Sequence, residues 1–230
     1  MEEIKINDRL MSAVAYVRKG SRFADIGTDH AYLPIFLIEK GVIDYAIAAD
    51  INRGPLDKAN ENILKCGLQE KIKTVLCDGL SKIYPDEVDD IAIFGMGGEL
   101  IVKIIDEAPW TRSEAKRLIL QPMTHPEKLR EYLAKSGFNI IGEDISLDRG
   151  KIYQTICAEY DGICRQYDDI TLNFGEYLLK NRSPLLLEMM ENSKKQLERK
   201  ILGKKSGGED ITYENNLLSA MNAYIEREKI

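Results

Sequence analysis

Soft metal ligands are scarce in this chain, which has two histidines and four cysteines among 230 residues. None of Cys66, Cys77, Cys157 and Cys164 stands in a Cys-x-x-Cys pair, so no metal site is expected. Cys77 and Cys157 lie in apolar runs and read as small core residues, a usage that fits a reducing compartment. Long hydrophobic runs are missing too. No segment approaches the roughly 18 apolar residues of a membrane span, and the charged start MEEIKINDRL lacks the apolar core of a secretory signal. A cytoplasmic protein with no membrane partner is expected. An overall positive charge is also absent: the net charge is −6, which does not by itself advertise a nucleic-acid binder.

Hydrophobic residues make up 44% and charged residues 30%, ordinary values for a globular protein long enough for one sizeable domain and a smaller appendage. Helical spacing over Asp8–Val17 predicts an amphipathic helix. Five strand patterns follow, RFADIG, YAIAADI, KIKTVLCDG, DIAIFGMGG and RLILQP, alternating with helical ones. Thr124 and Glu127 have capping-box spacing around Pro126, and His125 reads as a first-turn residue of the helix so capped. Two last strands, over FNIIGEDISLDRGKIYQTICAEY, are joined at Asp148-Arg149-Gly150. The pattern predicts a Rossmann-like α/β domain over residues 1–160, with a mostly parallel seven-stranded sheet whose closing hairpin adds one antiparallel edge strand. Residues 161–230 form the second expected domain, small, α-helical and coiled-coil-like. From Phe174 onward it reads as helices broken at Pro184 and Gly207-Gly208, with Leu178, Leu185, Leu186, Met189, Met190, Leu197 and Ile201 at heptad-like spacing. Between Lys180 and Lys205 it carries eight cations against three acids. That stripe, including Lys194, Lys195, Arg199, Lys200, Lys204 and Lys205, reads equally as an RNA-binding patch or as a solvated helix face.

Ligands of open α/β sheets bind beyond the carboxyl ends of the strands. Here those ends carry Asp25-Ile26-Gly27, Asp50, Asp78-Gly79 and Gly95-Met96-Gly97-Gly98. Asp50 stands roughly 20 residues past the first turn, where an acid reaches ribose hydroxyls. A pyrophosphate needs close backbone approach and no competing anion. Asp25, Asp29, Asp50 and Asp78 supply four acids instead, which suits a cofactor carrying an amine and a sulfonium. S-adenosylmethionine is the expected cofactor and methyl transfer the expected chemistry. Each acid taken singly also reads as a turn former or helix cap.

ADIGTDHAYLP, the Asp50 strand in AADIN, the VLCDGL turn and the FGMGG turn resemble the bacterial TrmK family, S-adenosylmethionine-dependent tRNA (adenine-22-N1)-methyltransferases. The resemblance runs in order over about residues 6 to 160, and the basic tail resembles that family's C-terminal domain. It implies a class I methyltransferase domain acting on N1 of an adenine in the D-arm of tRNA. Cofactor contacts carried over by motif fall on Asp25, Gly27, Asp50, Ile51, Asp78, Gly79 and Gly95, and Asp29 becomes the catalytic candidate. Many amine-methylating enzymes carry an NPPY-like or DPPY-like motif after the fourth strand. This chain has Gly95-Met96-Gly97-Gly98 there, which leaves the base without an evident aromatic clamp.

Chemistry adds further candidates. A carboxylate at Asp29 stabilises positive charge developing on the base; His30 orients it or touches a phosphate, or is only a turn histidine. Tyr32 stacks on a flipped base, or packs a helix start onto the sheet. Gln121 is a minor candidate for contact with base or cofactor. Arg9, with Arg18, Lys19 and Arg22, is a candidate RNA contact, although Lys19 to Arg22 also fit the far end of the first strand. Two other functions stay open at this point: a small-molecule methyltransferase, and a non-catalytic RNA- or partner-binding protein with a vestigial pocket. The oligomeric state has no signature in the sequence.

Overall fold

A computed structural model describes residues 4–228. Residues 1–3 of the charged start, Lys229 of the expected last helix and the final Ile230 lie outside them. The chain divides into two compact units, Met1–Gln166 and Tyr167–Ile230. The division falls six residues beyond the expected boundary because 161–166 stay tied to the first unit. The amides of Asp161 and Gly162 donate to Gly137 O, and that of Arg165 donates to Ala134 O at 2.8 Å.

In the first unit, α1 (Asp8–Val14) precedes β1 (Arg22–Ile26), α2 (Tyr32–Glu39), β2 (Tyr45–Asp50), α3 (Arg53–Lys65) and β3 (Ile72–Leu76). Then come β4 (Asp90–Met96), α4 (Gly98–Asp106), β5 (Arg117–Pro122), α5 (Pro126–Lys135), β6 (Phe138–Asp148) and β7 (Lys151–Tyr160). The seven strands form one sheet in the order β3-β2-β1-β4-β5-β7-β6. Strands β1 to β5 are mutually parallel, and β7 pairs antiparallel with both β5 and β6. The antiparallel strand is therefore internal and not at the edge, as the hairpin pattern suggested. The edge belongs to β6, which among the described residues pairs only with β7 and runs in the direction of the parallel strands.

Strand interiors such as Phe23-Ala24-Asp25-Ile26 and Ile91-Ala92-Ile93-Phe94 are buried along their whole length, as strands covered on both faces must be. Phe23, Ala46, Ala92 and Ile119 from the strands pack with Leu33, Leu37, Ala59 and Ile63 from α2 and α3. Each large aliphatic side chain so buried contributes roughly 1.5–3 kcal/mol.

Two local expectations fail for identifiable reasons. The first helix stops at Val14, three residues short of Val17, because Arg18 is drawn to the sheet: its N and Nε donate to the Asp90 carboxylate at 2.6 and 2.7 Å. The capping box does not form. His125 takes the N-cap position in a left-handed conformation (φ 53°), and no side chain caps the helix. Thr124 O instead accepts from Gly98 N at 2.7 Å, while Glu127 Oε1 pairs with His125 Nδ1 at 3.0 Å. A Cβ at Gly98 would lie 2.2 Å from His125 O, so the last glycine of the GMGG turn allows two backbone turns to touch.

The second unit holds α6 (Asp169–Phe174), α7 (Glu176–Asn181), α8 (Pro184–Gly207) and α9 (Thr212–Glu228). Helix thus begins five residues before the expected Phe174, with the Asp168 side chain accepting from Thr171 N at 3.0 Å. Leu178, Leu186, Met190 and Ile201 are buried, together with Leu217, Met221 and Tyr224 of α9. The methionine pair contributes core through Met190. Among the described residues no helix is long and apolar enough to cross a membrane, and no three His, Cys, Asp or Glu side chains cluster as metal ligands.

Candidate active site

Strand order reverses between β1 and β4, and the crevice beyond their carboxyl ends is where open α/β sheets bind ligands. A cavity of about 990 Å³ opens there. Asp25, Gly27, Asp29, Tyr32, Asp50, Ile51, Asp78, Gly79 and Gly95 all line it, and so does Arg9. The structure brings these sequence-selected residues of the first unit into one chamber. His30 is not on the wall but stands directly behind Asp29.

The β1–α2 turn is strained. Gly27 has φ 73°, and His30 and Ala31 follow at 65° and 57°. A left-handed residue other than glycine costs roughly 1–2 kcal/mol, and such strain concentrates where a function needs the geometry. Gly27 answers to its backbone conformation; a Cβ there would meet at close range only Met96 Cε, the movable end of a flexible side chain. The turn is held by Asn62 Nδ2, which donates to His30 O at 3.0 Å. Within it, His30 Nε2 meets Asp29 Oδ1 at 2.9 Å, and the His30 ring stacks on Tyr32 with centroids 5.3 Å apart. Asp29 itself is 74% exposed. The arrangement is an oriented carboxylate at the cavity mouth.

Asp25 is buried at the floor. Thr28 Oγ1 donates to its Oδ2 at 2.6 Å. Burial pushes the carboxyl up to about 6, reinforced by the Asp29 and Asp50 charges and opposed by the Thr28 hydrogen bond and by Arg9. Asp50 Oδ1 accepts from Asn52 N at 2.7 Å, while Asp78 is exposed after β3. Gly95 (φ 76°) sits in a bulge of β4, where the register with β5 shifts between Phe94 and Met96. Bulges of this kind re-aim a strand beside a site.

Other candidates are placed differently. Gln121 is fully buried and does not line the cavity. Its Nε2 donates to Thr155 Oγ1 and Arg9 O, and its Oε1 accepts from Arg9 Nη1, so it joins α1 to the sheet. Arg18 and Arg22 bind Asp90 and Asp89 at the amino end of β1 and β4, the end opposite the cavity. In the tail, Lys200 and Lys204 reach Glu214 Oε1 at 3.0 and 2.8 Å and hold that carboxyl down to about 2. Lys194, Lys195, Arg199 and Lys205 make no ion pair among the described residues. The sequence reading missed Thr28, Asn62, Met123 and the hairpin residues Arg149, Lys151 and Tyr153. Thr28 carried a signal, standing next to Gly27; the hairpin carried none, because strand order decides that it faces the cavity.

Five carboxylates line the chamber, four of them at the ends of β1, β2 and β3 and one of these, Asp25, buried with an elevated pKa; they fit a cationic cofactor and disfavour a diphosphate. Fold and site together define a class I S-adenosylmethionine-dependent methyltransferase. The model of the TrmK family, tRNA (adenine(22)-N(1))-methyltransferase, matches residues 23–226. The tRNA (adenine(22)-N(1))-methyltransferase of Bacillus subtilis is 36% identical over 195 residues, covering 82% of this chain and 81% of its own. The Streptococcus pneumoniae protein Sp1610, solved in complex with S-adenosyl-L-methionine, superposes with a TM-score of 0.86 at 32% identity, over 96% of this chain and 100% of that one. Mycoplasma capricolum TrmK in complex with S-adenosyl-homocysteine gives a TM-score of 0.78 at 26% identity, over 96% and 98% of the two chains. The chain belongs to the TrmK family, and its activity is S-adenosylmethionine-dependent methylation of N1 of adenine 22 in tRNA.

Proposed function

We propose that Asp29 is the catalytic residue and that Asp25, Asp50 and Asp78 hold the cofactor. When bound, S-adenosylmethionine supplies an electrophilic methyl on a cationic sulfur. Asp50, with Oδ1 engaged by Asn52 N, offers its other oxygen to a ribose diol. Asp78 accepts from the adenine amino group, and Ile51, 61% exposed on the cavity wall, covers one face of that ring. Gly27, Gly79 and Gly95 let the backbone come close. Asp25 balances the cofactor's positive charge from below.

Adenine N1 has an in-plane lone pair and needs no base to begin its attack; it needs alignment. The protein's task comes afterwards, when positive charge spreads over N1 and the 6-amino group. Asp29 stabilises that charge and accepts a proton from the amino group. His30 fixes the carboxylate by the 2.9 Å contact, and Tyr32 holds the His30 ring. Tyr32 also presents an exposed ring to a base that has left its stack. Arg9 and the unpaired tail cations Lys194, Lys195, Arg199 and Lys205 attract the tRNA backbone, and a tRNA substrate supports a cytoplasmic location.

The observation that carries this reading is the Asp29 carboxylate held by His30 at the mouth of an acid-lined chamber. Asp29→Asn should bind S-adenosylmethionine within a few-fold of wild type and lose about 10²–10⁴ in turnover, measured with tRNA transcripts bearing adenine or guanine at position 22. Label should enter only the adenine transcript. Equal loss of binding and turnover would reduce Asp29 to a cofactor ligand.

A further inference from the structure

Resting on that reading, we propose that the β6–β7 hairpin and the start of α1 form a phosphate-binding wall for the nucleotides flanking the target adenosine. The cavity is divided by charge. Four of its acids, Asp25, Asp29, Asp50 and Asp78, come from the ends of β1, β2 and β3, and a fifth, Asp148, stands at the hairpin tip. Its cations are Lys5 just before α1, Arg9 within it, Arg149 and Lys151 at the hairpin tip, and Lys103 of α4.

The hairpin reaches past the sheet. Pairing between β5 and β7 ends at Leu120 with Ile156, whereas β6 and β7 remain paired to Asp148 with Lys151. Five residues of β7 therefore run beyond its last pair with β5, on the order of 17 Å of strand. Arg149 (φ 48°) and Gly150 (φ 75°) form the two-residue turn, a type I′ geometry that locks the register.

The wall is rigid. Asn7 Nδ2 donates to Asp148 Oδ2 at 2.8 Å, and Ser12 Oγ meets Thr155 Oγ1 at 2.6 Å. Arg9 lies over the Tyr153 ring at 5.7 Å. The one carboxylate at the tip, Asp148, is thus engaged by Asn7. Arg149 and Lys151 are exposed and make no ion pair among the described residues. Two unpaired cations on a fixed turn are what a polyanion needs to be positioned.

The choice of ligand follows from the reaction. A flipped base brings its flanking phosphates to the cavity mouth. The acidic side repels them, so the strand enters along Arg149 and Lys151. Lys5 extends the same side, and Arg9 stands at the border, close enough to Asp25 to favour its ionised form.

The test uses the full chain carrying Arg149→Asn and Lys151→Gln together. Asparagine tolerates the left-handed backbone at 149, so the turn is kept. Binding of tRNA is followed by fluorescence anisotropy across a salt series, with S-adenosylmethionine affinity and steady-state kinetics alongside. Affinity for tRNA should fall about 10-fold at 0.1 M salt, and the slope of log Kd against log salt should drop by about 1.4, roughly 0.7 for each lost contact. The kinetic loss should appear in KM for tRNA, and cofactor affinity should stay at the wild-type value. Unchanged tRNA affinity and slope would overturn the proposal. So would a parallel loss of cofactor affinity, which would assign the hairpin to the cofactor half. Failure of the wild type to methylate an adenine-22 transcript would sink the catalytic reading instead, and the binding titration would still judge the hairpin.

Discussion

With its carboxyl at about 6, Asp25 couples folding stability to pH in the opposite sense from most acids. Below its unfolded value of 3.8 both states are protonated. Between 3.8 and 6 the folded protein keeps a proton that the unfolded chain has released, so ligand-free stability falls as pH rises. Above about 6 the deficit is constant, about 3 kcal/mol. A cationic cofactor prefers the carboxylate, so its affinity should weaken towards tenfold per pH unit below 6. Calorimetric titration between pH 5 and 8 checks this. Asp25→Asn should flatten the dependence, weaken binding at pH 7 and raise the ligand-free melting temperature; a pH dependence surviving in Asp25→Asn would place the proton elsewhere. The acids were legible as residues because strand-end positions can be read from hydrophobic runs. Their different environments were not, since burial of Asp25 and exposure of Asp29 depend on which elements cover the turn.

Elements tell a similar story through the buried pair that ties α5 to β6. Arg130 Nε donates to Glu143 Oε1 at 2.8 Å, with both side chains at most 1% exposed, and the guanidinium also reaches Gln154 of β7. Arg130→Met should cost about 3–5 kcal/mol because it strands a buried carboxylate. Arg130→Met with Glu143→Met should recover most of that loss in urea unfolding. If the double variant is no better than the single, the pair is not the coupled unit described. Nothing in the sequence paired these two residues, because the contact depends on β7 lying between β5 and β6. Periodicity identified all seven strands and the tight turn at Arg149-Gly150. It could not order the strands, which is why β7 was expected at the edge. The Thr124–Glu127 spacing misled for a related reason: His125 and not Thr124 takes the N-cap position, and Glu127 turns to its ring.

At the scale of the whole molecule, the basic stripe separates into two populations. Lys200 and Lys204 are occupied with buried Glu214 between α8 and α9, and their loss should show as unfolding of the second unit. Lys194, Lys195, Arg199 and Lys205 are available to RNA. Neutralising those four should leave helical content unchanged, weaken tRNA binding and reduce its salt slope; unchanged binding would confine the stripe to solvation. Circular dichroism with a salt titration separates the cases. The stripe was legible as charge, but its division was not, because Glu214 lies beyond the Gly207-Gly208 break and only the helical pairing brings it back. The strand order has one more consequence, for synthesis. Strand β6 has no strand partner except β7, and β5 keeps an open edge until β7 arrives. A nascent chain leaving the ribosome therefore completes its sheet only after residue 160 has emerged. The same strand delivers Lys151 and Tyr153, so a half-made enzyme lacks the grip that would let it trap a tRNA before it can modify one.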